Sequence, residues 1–158
     1  MKTLVVFYSR TGTTKKVGEA LAAKLGADIE EIKDTVNRSG AKGYLLSGRD
    51  AMRRKLTTLE PQNKNATEYD LVVIGTPVWA WNMSAPIRTY ITELKDDFKN
   101  VAFFCTMGGS GDEGTFSEMA EVIGKKPLST LALKTVQVVK NEFSQELEKF
   151  LDSIKKEN

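Results

Sequence analysis

Residues 4–14 read LVVFYSRTGTT, an apolar run that passes directly into a turn rich in hydroxyl groups. Apolar and β-branched residues without alternation are typical of a strand buried on both faces, as in parallel sheets covered by helices. Gly12 allows a tight turn, and Thr13 or Thr14 can cap the helix predicted by the apolar spacing of Val17 and Leu21. Because free amides at a helix N-terminus and nearby hydroxyl groups favour a bound anion, the sequence predicts an anion site after the first strand.

The length and composition are those of one globular domain. The chain has 158 residues, of which 41% are hydrophobic and 28% charged, so we expect a single domain over residues 1–158. No apolar run reaches the roughly 18 residues that a membrane span needs. The first residues lead straight into a strand without the apolar segment of a signal peptide. We therefore expect a cytoplasmic protein without a membrane span.

The sequence restricts the chemistry that side chains can perform. It has no histidine and one cysteine, Cys105, so an internal disulfide and the usual zinc and histidine-base sites are excluded. The simplest reading of Cys105 is a small buried apolar residue. A net charge of +2 does not indicate a nucleic-acid partner. A bound cofactor is the remaining source of demanding chemistry.

Strand and helix patterns alternate along the rest of the chain. We predict strands at residues 4–8, 27–32, 69–76, 101–105 and 131–139. We predict five helices: one that ends near residue 26, one over 44–56, one that begins at Ser84, one that ends at Gly124 and one over 143–154. In the second helix, the predicted inward residues are Leu45, Met52 and Leu56. This alternation predicts an α/β fold with a doubly wound parallel sheet and helices on both faces.

Three irregular segments follow the first, third and fourth predicted strands. All three are rich in glycine, hydroxyl groups or aromatic residues. In sheets of this kind, ligands bind outside the carboxyl ends of the strands, where the strand order reverses. We therefore expect the three segments to meet at one ligand site.

The Ser-x-Thr-Gly-x-Thr pattern of residues 9–14 resembles the phosphate loop of flavodoxins, which holds the monophosphate of FMN. The resemblance extends over essentially the whole chain and implies a five-stranded parallel sheet in the order 2-1-3-4-5. It implies FMN as the cofactor, with the following residues in contact with it or shaping its site. The phosphate loop comprises Ser9, Arg10, Thr11, Gly12, Thr13 and Thr14. The loops on the two sides of the flavin ring comprise Thr76, Pro77, Val78, Trp79, Ala80, Trp81 and Asn82, and Thr106, Met107, Gly108, Gly109, Gly111 and Asp112.

The residue types in these loops suit a flavin. The isoalloxazine ring is flat and largely apolar with a polar edge, so it needs an apolar or aromatic surface and backbone amides. Trp79 or Trp81 can supply the surface, and the glycines of the third loop let the backbone approach the ring. Flavodoxins often place a stacking tyrosine in that loop, but this chain has none between residues 106 and 114, which leaves Met107 or the glycines. Asp112 can reach a ribityl hydroxyl or remain a solvated loop acid.

The resemblance implies an FMN-binding electron-transfer protein whose partners are redox proteins or a small-molecule acceptor, acting as a monomer or homodimer. A second hypothesis is an NAD(P)H-dependent quinone or flavin reductase on the same scaffold, and a third is a non-redox interaction module with an empty pocket. Electron carriers of the family are typically strongly acidic, whereas this chain has a net charge of +2. The basic segment from Arg38 to Lys55 is either a solvated helix face or a contact for an acidic partner or nicotinamide phosphates.

Other protein families with a similar order of strands and helices are excluded, because this chain lacks the residues that they need. A receiver domain needs acidic residues directly after the first strand, where this chain has Ser9 and Arg10. A low-molecular-weight phosphatase needs a cysteine in the first loop, and Cys105 is far from it. The phosphate-binding motif of P-loop NTPases and the dinucleotide-binding glycine pattern are both absent.

Overall fold

A computed structural model describes residues 1–157 and shows alternating strands and helices. The strands are β1 (Thr3–Phe7), β2 (Asp28–Glu31), β3 (Leu71–Trp79), β4 (Asn82–Met83), β5 (Asn100–Met107) and β6 (Thr130–Lys134). The helices are α1 (Thr13–Leu25), α2 (Gly40–Met52), α3 (Ala85–Leu94), α4 (Asp112–Ile123), α5 (Thr135–Val139) and α6 (Ser144–Lys156). Short 3₁₀ turns occupy Ala66–Glu68 and Lys95–Asp97. No helix among these residues is both long and apolar enough to cross a bilayer.

The sheet has the predicted topology. Five strands run parallel in the order β2-β1-β3-β5-β6, and the short β4 pairs antiparallel with the end of β3. Since the sequence prediction did not count β4 as a strand, this order is the predicted 2-1-3-4-5. The doubly wound parallel sheet is therefore confirmed, with the strand order reversing between β1 and β3.

Hydrophobic side chains from the central strands pack on both faces of the sheet, which explains why their sequences do not alternate with polar residues. On one face, Leu4 and Val6 belong to a buried cluster that includes residues of α3 and α4. On the other face, Val5 and Phe7 belong to a cluster that includes residues of α1 and α6. The sheet is thus covered on both sides, and its carboxyl edge is left for the loops.

The second helix differs from its prediction in bounds and in orientation. It spans Gly40–Met52 rather than 44–56, and Leu45, Met52 and Leu56 are exposed instead of facing inward. The buried residues of α2 are small or polar: Gly43, Ser47, Asp50 and Ala51. A Cβ atom at Gly43 would lie 2.0 Å from the carbonyl carbon of Arg38, so this face packs directly against backbone. The apolar stripe therefore points away from the core.

The last predicted strand, 131–139, is also wrong in its second half. β6 ends at Lys134, which pairs with Met107 at the end of β5, and Thr135–Val139 forms the short helix α5. The β-branched residues of this segment favour a strand, but β5 offers no further partner there. The side-chain oxygen of Gln137 accepts the backbone N–H of Lys134 at 3.0 Å and helps begin the helix.

Candidate functional site

A cavity of about 670 Å³ opens at the carboxyl edge of the sheet, beside the point where the strand order reverses. The three predicted loops meet there. The predicted residues that line the cavity are Ser9, Arg10, Thr11, Thr13, Thr14, Pro77, Val78, Trp79, Ala80, Trp81, Thr106, Met107, Gly108 and Gly109. Its volume lies within the range of small-molecule and cofactor pockets.

The other predicted residues lie next to the cavity wall rather than in it: Gly12, Thr76, Asn82, Gly111 and Asp112. Thr76 is fully buried, and its hydroxyl oxygen accepts the backbone N–H of Ser84 at 3.0 Å. Gly111 has a φ of 105°, and a Cβ there would lie 2.8 Å from Cγ1 of Val78. These residues shape the loops, and Asp112 is the first residue of α4.

The first loop is built around Ser9, not around a threonine cap. Gly12 is the N-cap of α1, with a φ of 96°, so the expected capping role of Thr13 or Thr14 is wrong. The Ser9 hydroxyl oxygen accepts the N–H of Gly12 at 3.0 Å and the N–H of Lys15 at 3.2 Å. The N–H groups of Thr13 and Thr14 lie in the first helical turn, where the helix itself supplies no acceptor. The loop therefore offers free donors to an anion.

A buried hydrogen bond joins the first loop to the third. The hydroxyl oxygens of Thr14 and Thr106 are 2.8 Å apart, and both side chains are shielded from solvent. Such a bond stabilises the fold only while both partners are present, because a buried hydroxyl without a partner is costly. The first and third loops are thus fixed relative to each other.

The second loop is a hairpin, whereas the sequence predicted an irregular loop over 76–83. β3 continues to Trp79, which pairs with Asn82 of β4. The two turn residues, Ala80 and Trp81, have φ angles of 46° and 62°. Two-residue hairpin turns need positive φ and usually contain asparagine and glycine, so alanine and tryptophan gave no hairpin signal. The hairpin projects Trp81 into solvent beside the cavity.

Trp79 is held in place from beneath the cavity wall. The Tyr8 and Trp79 rings form a T-shaped pair with a centroid distance of 5.5 Å and an interplanar angle of 88°. The Arg38 guanidinium lies 5.5 Å from the Trp79 ring centroid. Burial raises the pKa of Tyr8, so its hydroxyl stays neutral near pH 7. The indole is therefore positioned by contacts within the protein.

Arg38 is itself buried in an ion-pair network. Its Nε donates to Asp34 Oδ2 at 2.6 Å, and its Nη1 donates to Asp50 Oδ2 at 3.0 Å. The backbone carbonyl of Arg38 accepts a hydrogen bond from Arg10 of the first loop at 3.3 Å. One residue thus connects α2, the first loop and the ring of Trp79.

The second helix forms a cavity wall that the sequence reasoning missed. The lining residues from α2 are Tyr44, Leu45, Ser47, Gly48, Arg49 and Met52. Two further lining residues outside α2, Ser110 and Thr135, were also not predicted. Gly43, Ser47 and Ala51 repeat every four residues, and this small-residue face is the signal that the helix packs closely on that side. The larger stripe of Leu45 and Met52 was instead assigned to the core.

The charged groups that line the cavity are cationic. They are Arg10 and Arg49, and no carboxylate lies among the lining residues in the described part of the chain. Cys105 lies in β5 behind the wall, where burial raises the pKa of its thiol to about 12. The site therefore favours an anionic ligand and has no thiolate nucleophile.

Comparisons with known proteins agree with this fold. Residues 2–152 match a family model described as flavodoxin. A flavoprotein from Lactobacillus acidophilus NCFM, solved in complex with FMN, is 27% identical with a TM-score of 0.72, over 88% of this chain and 97% of that chain. A comparison with curated proteins finds no match.

Two more distant likenesses concern the fold alone. A candidate flavoprotein from Bacteroides eggerthii DSM 20697 is 24% identical with a TM-score of 0.74, over 95% of this chain and 98% of that chain. An NADH:FMN oxidoreductase solved in its apo form is 12% identical with a TM-score of 0.56, over 99% of this chain and 88% of that chain. Since one fold serves several functions, these likenesses do not separate a carrier from a reductase.

Proposed function

This chain belongs to the flavodoxin family, and we propose that it binds FMN in the cavity at the carboxyl edge of its sheet and acts as an electron-transfer protein. When bound, FMN supplies the one- and two-electron chemistry that the side chains lack. The protein contributes binding, orientation and electrostatics.

The observation that carries this proposal is the meeting of a free anion loop with aromatic and glycine-rich walls in one cavity. Thr11 and Thr13 line the cavity, next to the amides of the first turn of α1. These groups suit a phosphate monoester. Trp79 and Trp81 line the cavity from the hairpin, and Gly108 and Gly109 line it from the third loop, as a flat ring requires.

The charge of the wall bears on the redox role. Reduction adds negative charge to a flavin, and Arg10 and Arg49 stabilise negative charge in the cavity. Strongly acidic carriers of the family surround the ring with like charge instead. We therefore infer that reduction is easier in this protein than in an acidic flavodoxin.

The second candidate is an NAD(P)H-dependent quinone or flavin reductase. It is favoured by Arg49, a half-exposed cation at the cavity wall that can contact a nucleotide phosphate. Steady NAD(P)H consumption with a quinone acceptor distinguishes this activity from that of a carrier. The third candidate, an interaction module with an empty pocket, requires a chain that remains colourless after addition of FMN.

The test of FMN binding compares FMN with riboflavin, which lacks the phosphate. Flavin fluorescence titrations with wild-type chain and Thr11→Val measure both affinities. Loss of one hydrogen bond to a charged phosphate is worth about 1.5–3 kcal/mol, so FMN affinity should fall by roughly tenfold or more. Riboflavin affinity should stay unchanged.

The matched control is Thr130→Val, an exposed threonine at the start of β6 on the opposite edge of the sheet. It should bind both ligands as the wild type does. Equal losses for FMN and riboflavin in Thr11→Val would place the phosphate elsewhere. Absence of FMN binding by the wild-type chain would refute the proposed function.

A further inference from the structure

Large apolar side chains are exposed on both sides of the cavity mouth. On α2, Tyr44, Leu45 and Met52 are exposed by 65%, 71% and 65%, and on the hairpin Trp81 is exposed by 70%. All four also line the cavity, and we call them the mouth patch. Single exposed apolar residues are ordinary, but a group of them around a ligand opening indicates a contact surface.

The exposed side of the same segment is basic. Residues 39–59 contain five cations, Lys42, Arg49, Arg53, Arg54 and Lys55, and one acid, Asp50, which is buried against Arg38. Arg54 pairs with Glu118. Within residues 1–157, Lys42, Arg53 and Lys55 make no ion pair, and we call these three cations the basic strip.

The dimensions of the basic strip favour a protein partner over a nucleotide. The 13 residues of α2 span about 20 Å at 1.5 Å per residue; Lys42 lies in its first turn, and Arg53 and Lys55 lie just beyond its end. A pyrophosphate is far shorter and needs donors gathered at one point. A protein interface covers about 800 Å² on each partner, with an apolar centre and a polar rim, which suits the mouth patch beside the basic strip.

We propose that the mouth patch and the basic strip together form the docking surface for an acidic redox protein. This inference rests on the proposed function, because the partner would sit over the opening of the FMN cavity. In each encounter the partner loses one electron and the bound flavin gains one, or the reverse, with no group transferred. Complementary charge would speed the encounter, and added salt would screen that attraction and weaken binding.

The probe for this proposal is a fluorescently labelled plant-type two-iron ferredoxin, which is an acidic one-electron protein. Fluorescence anisotropy measures its binding to the chain, both with FMN and without it, at low and at physiological salt. The test variant is Lys42→Glu/Arg53→Glu/Lys55→Glu, none of which lines the FMN cavity. The control is Lys125→Glu/Lys126→Glu, two exposed lysines just beyond α4 at the opposite edge of the sheet.

We expect ferredoxin to bind more weakly as salt rises, and the triple variant to bind at least about tenfold more weakly than the wild type at low salt. The triple variant should in turn gain affinity for the basic protein cytochrome c. The control variant should bind ferredoxin as the wild type does.

Three outcomes would overturn the proposal: no binding of ferredoxin, equal binding by the triple variant, or tighter binding of a single-stranded oligonucleotide than of ferredoxin. The flavin titration separates this failure from failure of the proposed function. A chain that binds FMN but not ferredoxin refutes the docking surface alone. If the chain binds ferredoxin through the basic strip but does not bind FMN, only the proposal that FMN is the cofactor is refuted.

Discussion

Replacement of Arg38 by methionine tests the buried network beneath the cavity. Arg38 is 3% exposed, and its guanidinium donates to Asp34 at 2.6 Å and to Asp50 at 3.0 Å. Arg38→Met keeps much of the side-chain volume but leaves both carboxylates buried without this cation. Breaking a buried ion pair in this way costs up to about 3–5 kcal/mol, because the side-chain partners that remain are weaker: the Thr57 hydroxyl at Asp34 and the half-exposed Arg49, 3.5 Å from Asp50.

A second, smaller loss comes from Trp79. The guanidinium lies 5.5 Å from its ring centroid, a contact worth about 0.5–2 kcal/mol depending on its solvation. Since domains of this kind have unfolding free energies of about 5–15 kcal/mol, the substitution should remove about a quarter or more of the stability. The FMN affinity should fall as well, because Trp79 and α2 both form walls of the cavity.

The measurement is urea unfolding of the chain without FMN, followed by circular dichroism and tryptophan fluorescence. With a slope of about 2 kcal/mol per molar urea, a loss of 4 kcal/mol lowers the midpoint by about 2 M. The matched control is Arg53→Met, an exposed arginine just after α2, which should change stability by less than about 0.5 kcal/mol. If Arg38→Met costs less than about 1 kcal/mol, the network does not hold the wall and the reasoning fails.

Three further predictions concern the loops and the strand behind them. Thr14→Val should lower the unfolding free energy by about 1–3 kcal/mol by leaving the Thr106 hydroxyl unpaired, and the double variant with Thr106→Val should lose less than the sum of the single losses in urea unfolding. Because burial raises the pKa of the Cys105 thiol to about 12, a disulfide reagent should react with the native chain no faster than it unfolds, and rapidly in urea; fast labelling without denaturant would contradict this. Gly111→Ala should cost about 1–3 kcal/mol and weaken FMN binding, since φ is 105°, whereas Gly108→Ala, with open space around it, should fold normally.

The sequence predicted the sheet well because its central strands are buried on both faces. The continuous apolar run around Val5 and Val6 is typical of a strand that is buried on both faces, so the position of this strand in the sheet could be predicted from its composition. The three loops were located for the same reason, since each begins where a buried strand ends. The family resemblance supplied the strand order.

The errors arose where tertiary contacts outweigh local preference. The stripe of Leu45 and Met52 has the spacing of a core face, but Gly43 packs against backbone and turns the stripe outward. The hairpin turn at Ala80 and Trp81 adopts positive φ without the residues that signal it. Neither outcome follows from apolar spacing or turn composition, because one depends on the close approach of Gly43 to the Arg38 backbone and the other on the pairing of Trp79 with Asn82.

The buried cation at Arg38 has a consequence for how ligand binding and folding are related. It joins three walls of the cavity by contacts within the protein: α2 through Asp50, the first loop through Arg10, and the hairpin through Trp79. A ligand entering a cavity already held in shape loses little conformational entropy of the protein. Across substitutions at Arg38, affinity for FMN and resistance to urea should therefore rise and fall together, whereas at the exposed basic strip the two should vary independently.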